Sequence, residues 1–309
     1  MLDLILDSLR VVNLPTKTNF RGINHREVAL FQGPQGWAEF SPFLEYSDVE
    51  SSRWLACAIE AATQAPPTLY RSSVGVNATL PALNGESEIG KILAAFPGCT
   101  TIKIKVGTNE EEDLARIAMV RKLSPQAKIR IDVNGLWGVD QASRFLERCG
   151  EIEYVEQPCA SVEELRELKS RIDVKIVGDE ILRKSTNPFE VDLKGAIDIL
   201  MLKVQPLGGI ANAHALAAHH KLPVVVSSAL ESAVGINYGL TLAASFQELS
   251  FDCGLATGSL LASNVADLAI VDGKMQITRF EPNFDGLETS ADRFEWWKNR
   301  IMRTAELLG

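Results

Sequence analysis

The stretch TIKIKVGTNEEEDLARIAMVRKLSPQAKIRIDVN, residues 101–134, decides the fold. It opens on a short apolar run (102–106) and closes on a second one (128–133). Between them, 109–123 has helical spacing, with Leu114, Ile117, Ala118 and Val120 three and four apart. Asn109 is placed to cap this helix, and the glutamates behind it suit the positive end of the helix dipole. The segment reads as strand, crossover helix, strand.

The same unit recurs in both directions. Apolar runs lie at 74–79, 102–106, 128–133, 152–155, 174–178, 197–204, 223–227 and 253–257. Helical stretches lie at 86–96, 109–123, 139–148, 161–171, 209–220 and 232–247, and Ser161 with Glu163 and Glu164 repeats the capping pattern. Such alternation predicts a parallel sheet, either open and doubly wound or closed into a barrel. The 186–194 link is short and poorly helical, so one helix is expected to be stunted.

The residues that end the runs favour the barrel. Lys105, Asp132, Glu156, Asp179 and Lys203 follow one another at separations of 27, 24, 23 and 24 residues, the period of one strand–helix unit. Five charges on buried strand ends are costly unless they converge on something. An open sheet would spread them along a line. A barrel brings them face to face at the C-terminal rim, where barrel active sites sit. Three adjacent carboxylates repel one another unless a cation lies among them, and an all-oxygen donor set without histidine suits Mg²⁺ rather than zinc, with Mn²⁺ able to substitute. The competing account is a set of rim salt bridges between individual acids and the lysines.

Lys103 and Lys105 are two apart on one strand and point to the same side. Lys203 comes from across the barrel. A nearby metal lowers an ammonium pKa, which suits one lysine to act as a base. Arg130, Asp132 and Asn134 alternate onto one face of the third strand, so Arg130 either binds a substrate carboxylate or forms an interior ion pair with Asp132 or another barrel acid. A metal with facing lysines suits removal of a proton next to a carboxylate, with the negative charge that develops held by the metal and the opposite lysine.

The flanks differ in pattern. Residues 2–12, 24–32 and 36–40 read as antiparallel strands, the last two joined by Gly33-Pro34-Gln35-Gly36. Residues 48–64 read as a helix, and the tail adds a short strand (MQITRF) and a closing helix that returns to the first domain. The expected division is an α+β capping domain at 1–71, completed by 270–309, and a barrel at 72–269.

Composition agrees and excludes other classes. The chain has 309 residues, 46% hydrophobic and 23% charged, with 31 basic against 40 acidic residues and a net charge of −9. An acidic balance argues against nucleic acid as a partner. No apolar run is long enough to span a membrane, and MLDLILDSLR lacks the basic start of a signal peptide. The five scattered cysteines read as reduced thiols in a cytoplasmic protein. The oligomeric state is left open.

Five ordered motifs add a resemblance. K-I-K at 103–105, R-I-D-V-N at 130–134, V-E-Q-P at 155–158, G-D-E at 178–180 and K-V-Q-P-L-G-G-I at 203–210 resemble the enolase superfamily, in its muconate-lactonizing-enzyme subgroup, over nearly the whole chain. The resemblance implies an α/β fold, a modified TIM-type (β/α)7β barrel with an N-terminal α+β capping domain. It implies Asp132, Glu156 and Asp179 as metal ligands, Lys105 as general base, Lys103 as its neighbour and tuner, and Lys203 as the cation opposite. R-G-I-N-H-R-E at 21–27, G-W-A-E-F-S-P-F at 36–43, S-S-A-L-E-S-A-V-G-I at 227–236 and C-G-L-A-T-G-S-L-L at 253–261 resemble a dehydrating branch of the subgroup. The implied reaction is a carbon–oxygen lyase step, syn elimination of water from 2-succinyl-6-hydroxy-2,4-cyclohexadiene-1-carboxylate. Its substrate is a small anionic carboxylate. N-succinylamino acid racemisation, or another proton abstraction alpha to a carboxylate, is the alternative. No D-x-D stands at the eighth strand, where dipeptide epimerases of the subgroup carry one.

Residues 14–22 read as a mobile loop able to close over the substrate, with Lys17 and Arg21 either its contacts or simply solvated. Ser227, Ser228 and Gly254, at the ends of the seventh and eighth strands, are candidates to line the succinyl pocket. Asn134 and Glu180 lie on the metal side or serve structural hydrogen bonds. His219-His220 reads as a surface pair at a helix C-terminus, and Trp296-Trp297 as packing. Gly208-Gly209 reads either as an anion site at a helix N-terminus or as a tight turn.

Overall fold

Residues 2–8 depart from the strand expected over 2–12. The computed structural model, which describes residues 2–308, begins with helix α1 (Leu2–Ser8). Leu2, Leu4 and Leu6 alternate as strand residues would, but Ile5 and Leu9, four apart, are the buried pair. One buried face at that spacing selects a helix. Ser8 Oγ also donates back to the Leu4 carbonyl.

Strands β1 (Arg10–Phe20), β2 (Ile23–Gly33) and β3 (Gly36–Phe40) form an antiparallel sheet. The 14–22 segment is therefore not a loop: β1 runs on to Phe20, with an irregular register after Pro15. The chain reverses at Arg21-Gly22, where both φ angles are positive (55° and 79°), a two-residue hairpin turn. Helix α2 (Asp48–Thr63) packs on this sheet through Trp54, Leu55, Ala58 and Ala62. Ser47 and Glu50 close its start as a capping box.

The chain then enters the barrel through β4 (Ser73–Gly75) and continues as β5 (Ala78–Leu80), α3 (Glu86–Leu93), β6 (Thr101–Lys105), α4 (Glu110–Leu123), β7 (Lys128–Asp132), α5 (Val139–Arg148), β8 (Tyr154–Glu156), α6 (Val162–Lys169), β9 (Ile176–Gly178), α7 (Glu180–Arg183), β10 (Ile199–Lys203), α8 (Ile210–His220), β11 (Val224–Ser227) and α9 (Ala233–Ala244). Seven of these strands, β5 to β11, form one sheet of neighbouring parallel pairs in chain order. The eighth run is reduced to Cys253 and Gly254, whose parallel bridges to Val76 and Ser227 close the curl. A side chain at Gly254 would collide with Ser227 Oγ, so glycine permits this approach. The expected stunted helix is α7, a single turn, and no helix forms over 186–194, where Pro188 removes a backbone donor.

The tail joins both parts. Strands β12 (Ile270–Val271) and β13 (Lys274–Gln276) pair with β4 at the barrel entrance. Residues 287–289 then run beside β1, through Asn13 N–H to Leu287 and Thr289 N–H to Val11. Helix α10 (Ala291–Glu306) lies on the first sheet and α2: Trp297 is fully buried edge-on to Phe40, and Arg300 donates to the Phe43 and Tyr46 carbonyls. Among the described residues no helix is long and apolar enough to cross a membrane.

Candidate active site

Parallel register sets the site. Lys105 pairs with Asp132, and Asp132 with Glu156, so three charges share one level at the C-terminal ends of β6, β7 and β8. Asp179 follows β9 directly, and Lys203 ends β10. Residues at one level of a parallel sheet that curls into a barrel face the same axis, which is why sequence positions almost 100 apart meet.

The cations and carboxylates interlock. Lys103 Nζ donates to Glu156 Oε2 at 2.7 Å and stands 3.5 Å from Asp132 Oδ2. Lys105 Nζ donates to the same Asp132 oxygen at 2.5 Å and to Asn134 Oδ1 at 2.7 Å. Across the barrel, Lys203 Nζ donates to Asp179 Oδ2 at 2.6 Å, and Arg183 Nε reaches that oxygen at 3.1 Å. Burial works to raise the Asp132 carboxyl, but the Lys105 and Lys103 ammoniums outweigh it and hold it at about 2. Burial likewise opposes ionisation of Asp179, and Lys203 and Arg183 overcome it. Glu156 is pushed up to about 7 by burial and by the Asp132 charge, with Lys103 pulling the other way. Burial favours a neutral Lys103; Glu156 and Asp132 reverse that and keep it protonated.

The donor set fits a hard cation. Asp132 Oδ1 and Glu156 Oε1 are buried and have no hydrogen-bond partner. Two orphaned carboxylate oxygens on adjacent strands, with Asp179 on the next, are hard ligands awaiting a positive charge. Among the described residues no three such side chains already enclose a metal position; the ammonium of Lys103 spans Asp132 and Glu156 instead.

Above this floor lies a cavity of about 530 Å³. Lys103, Lys105, Asp132, Asn134 and Lys203 line its base, and Ser227 and Ser228 one wall. The cap supplies Phe20, Arg21, Gly22 and Phe43 as the roof. Arg21 lies flat over the Phe43 ring, 4.0 Å from its centroid. Glu156 and Asp179 sit beneath, 0% and 1% exposed.

Three expected contacts fall elsewhere. Arg130 is fully buried below the site, donating to Glu153 Oε2 at 2.6 Å, to Asn77 Oδ1 and to the Asp252 carbonyl, with its guanidinium over Tyr154. It takes the interior ion pair, with Glu153 rather than Asp132. Lys17 turns away to the Ser259 carbonyl. Gly254 does not line the cavity; its carbonyl accepts the Ser228 hydroxyl and so orients that wall.

Other residues take roles that the sequence did not assign. Glu39 on β3 is fully buried and accepts from Ser232 N–H, Ser232 Oγ and Gly235 N–H, so a cap carboxylate closes the start of α9. Arg26 Nε donates to the Leu230 carbonyl, and Glu231 accepts from Ala229 N–H at 2.6 Å. Together they hold the 228–232 turn, where Leu230 has φ +62°, against the cavity. The start of α8 after Gly208-Gly209 does hold an anion: the cap's own Glu60 carboxylate, on the Ile210 and Ala211 N–H groups. His219 stacks edge-on to Phe189, and His220 contacts the Pro188 carbonyl.

Comparison with known proteins agrees with this architecture. Residues 11–62 match the family described as enolase N-terminal domain-like, and residues 91–282 the enolase C-terminal domain-like family. The solved muconate lactonizing enzyme of Pseudomonas putida superposes with a TM-score of 0.73 at 19% identity, over 93% of this chain and 97% of that one. Fold and site thus define an enolase-superfamily enzyme, from a group whose members generally depend on a divalent metal. The o-succinylbenzoate synthase of Mycobacterium tuberculosis is 46% identical over 99% of this chain and 96% of its own length, and that of Mycobacterium ulcerans is 46% identical over 98% and 95%. Within the superfamily, the chain belongs to the o-succinylbenzoate synthase family.

Proposed function

We propose that this chain is a Mg²⁺-dependent dehydratase that converts 2-succinyl-6-hydroxy-2,4-cyclohexadiene-1-carboxylate to o-succinylbenzoate, in the route to menaquinone. The observation that carries the reading is one constellation: Lys103 and Lys105 from β6 and Lys203 from β10, opposed across a cavity with Asp132 in its base and Glu156 and Asp179 just beneath.

Asp132, Glu156 and Asp179 would hold the ion, which when bound supplies a compact positive charge for the substrate carboxylate and for the charge that builds as the proton leaves. Lys105, the more exposed of the paired lysines at 23%, takes the proton alpha to the carboxylate and returns it to the departing hydroxyl on the same face. Lys203, on the opposite side, remains an ammonium and stabilises the developing negative charge. Lys103, bound to Glu156, adds a fixed positive field beside Lys105. Arg21 and Phe43 cover the ring, and Ser227 and Ser228 face the succinyl arm. Gaining an aromatic ring drives the elimination.

We take residues 1–71 with 270–309 as the cap and 72–269 as the barrel; the run of 287–289 beside β1 and the seat of α10 on α2 support this division. Five unpaired cysteines support a reducing, cytoplasmic setting. Incubation with the cyclohexadiene and Mg²⁺ is expected to remove the diene absorbance and yield the aromatic diacid. Persistence of the diene, with exchange of the alpha proton of N-succinylamino acids instead, would replace this reading by the racemase.

A further inference from the structure

The steps above leave unused a cation that touches the site, Arg183. The Arg183 side chain is only 9% exposed, and three of its nitrogens are engaged. Nε reaches Asp179 Oδ2 at 3.1 Å, Nη2 donates to Glu180 Oε1 at 2.5 Å, and Nη1 donates to the Tyr46 hydroxyl at 3.1 Å. Arg21 Nη2, at the hairpin tip, donates to that same hydroxyl oxygen at 2.9 Å. A phenol oxygen has two lone pairs and can accept from both. It joins two guanidiniums that would otherwise only repel each other.

Tyr46 is a firm post for this role. Its ring packs edge-on against Phe43 and Trp54, with centroids at 5.6 and 6.2 Å, and its carbonyl is held by Arg300. On the barrel side the chain of contacts branches. One arm is Asp179. The other runs from Glu180 Oε1 to Asn134 Nδ2 at 3.0 Å, and from Asn134 Oδ1 to Lys105 Nζ at 2.7 Å. Asn134 holds φ +55° to make both contacts.

We propose that Tyr46 is a positioning residue that couples docking of the Arg21-Gly22 hairpin tip to the divalent-cation affinity of the Asp179 arm. The inference rests on the metal reading above. Arg183 competes with any cation for Asp179 Oδ2. While Tyr46 holds Nη1, the guanidinium stays drawn toward the cap; released, it is free to close on the carboxylate. By reciprocity, a cation at Asp179 repels Arg183, presses it onto Tyr46 and steadies the tip that roofs the cavity.

The test measures Mg²⁺ binding by calorimetry on substrate-free protein: wild type, Tyr46→Phe, Arg21→Met and the double variant, each checked for folding by circular dichroism. Tyr46→Phe removes one oxygen from a packed ring, and Arg21 lies at an exposed turn, so both are expected to fold. Each single change is expected to weaken Mg²⁺ about fivefold, and the double variant no further, because both cut the same link. Mg²⁺ is also expected to slow amide exchange at 20–23 in wild type and not in Tyr46→Phe. Unchanged affinity in Tyr46→Phe, or single effects that multiply in the double variant, would overturn the coupling while leaving the metal site standing. A wild type that takes up no Mg²⁺ would instead remove the metal reading and the coupling with it.

Discussion

Lys203 Nζ lies 2.6 Å from Asp179 Oδ2, so the cation from β10 is seated on the carboxylate that follows β9. The pair ties the lysine side of the cavity to the expected metal side. Asp179→Asn keeps the shape but removes the charge, leaving Lys203 and Arg183 with a neutral partner. Mg²⁺ affinity should fall at least tenfold by calorimetry, and chelation of the wild type should abolish turnover until Mg²⁺ is restored. Unaltered affinity would remove Asp179 from the ligand set.

Lys105 is placed to move the proton. Lys105→Ala should leave the circular dichroism and Mg²⁺ binding near wild type while kcat drops by roughly 10³-fold or more, the scale of a lost general base. Full activity in this variant would exclude the role.

Arg130 separates a structural from a substrate-binding reading. Arg130→Met leaves Glu153 with Lys128 alone, at 3.2 Å, and takes the donor from Asn77 Oδ1 beneath the barrel. Breaking such a pair is expected to cost about 2–4 kcal/mol in urea unfolding, with Glu153 partly exposed and so at the lower end. KM of the protein that remains folded should hold steady; a large rise in KM at unchanged stability would return Arg130 to the substrate.

The cap–barrel joint should give the protein a pH-dependent stability. Burial, with the neighbouring Glu39 charge, pushes Glu231 up to about 7, against the pull of Arg26. Between pH 5 and 7 the folded chain therefore keeps a proton that the unfolded chain releases, and stability declines as pH rises through that window. Glu231→Gln, which retains an acceptor for Ala229 N–H, removes the share of the decline that belongs to Glu231. Relative to wild type the variant should gain up to roughly 3 kcal/mol between pH 5 and pH 8 in denaturant unfolding. A difference that stays constant with pH would refute the assignment.

Much of the site was readable because strand register converts a sequence period into a spatial one. A spacing of about 24 residues brings one charge to the end of each successive strand, level for Lys105, Asp132 and Glu156 and slightly further on for Asp179 and Lys203, so the five could be grouped before any coordinates. Tyr46 left no trace, and Glu39 and Phe43 stood only inside the 36–43 motif with no role attached. They reach the barrel from the cap, and no period relates them to it.

The repeated strand–helix unit, the charges at its rim and the hairpin Gly33–Gly36 are written along the chain, since each depends on local pattern and covalent spacing. Tertiary structure alone decided that residues 2–8 are a helix, because burial of Ile5 and Leu9 outweighed the alternation of leucines. It alone decided that Arg130 belongs to Glu153, that Gly254 closes the barrel rather than lining the cavity, and that Arg21 and Arg183 share one tyrosine. Those outcomes rest on which side chains meet once the sheet has curled and the cap has docked, and a contact between residues far apart in sequence and outside the strand period has no signature along the chain.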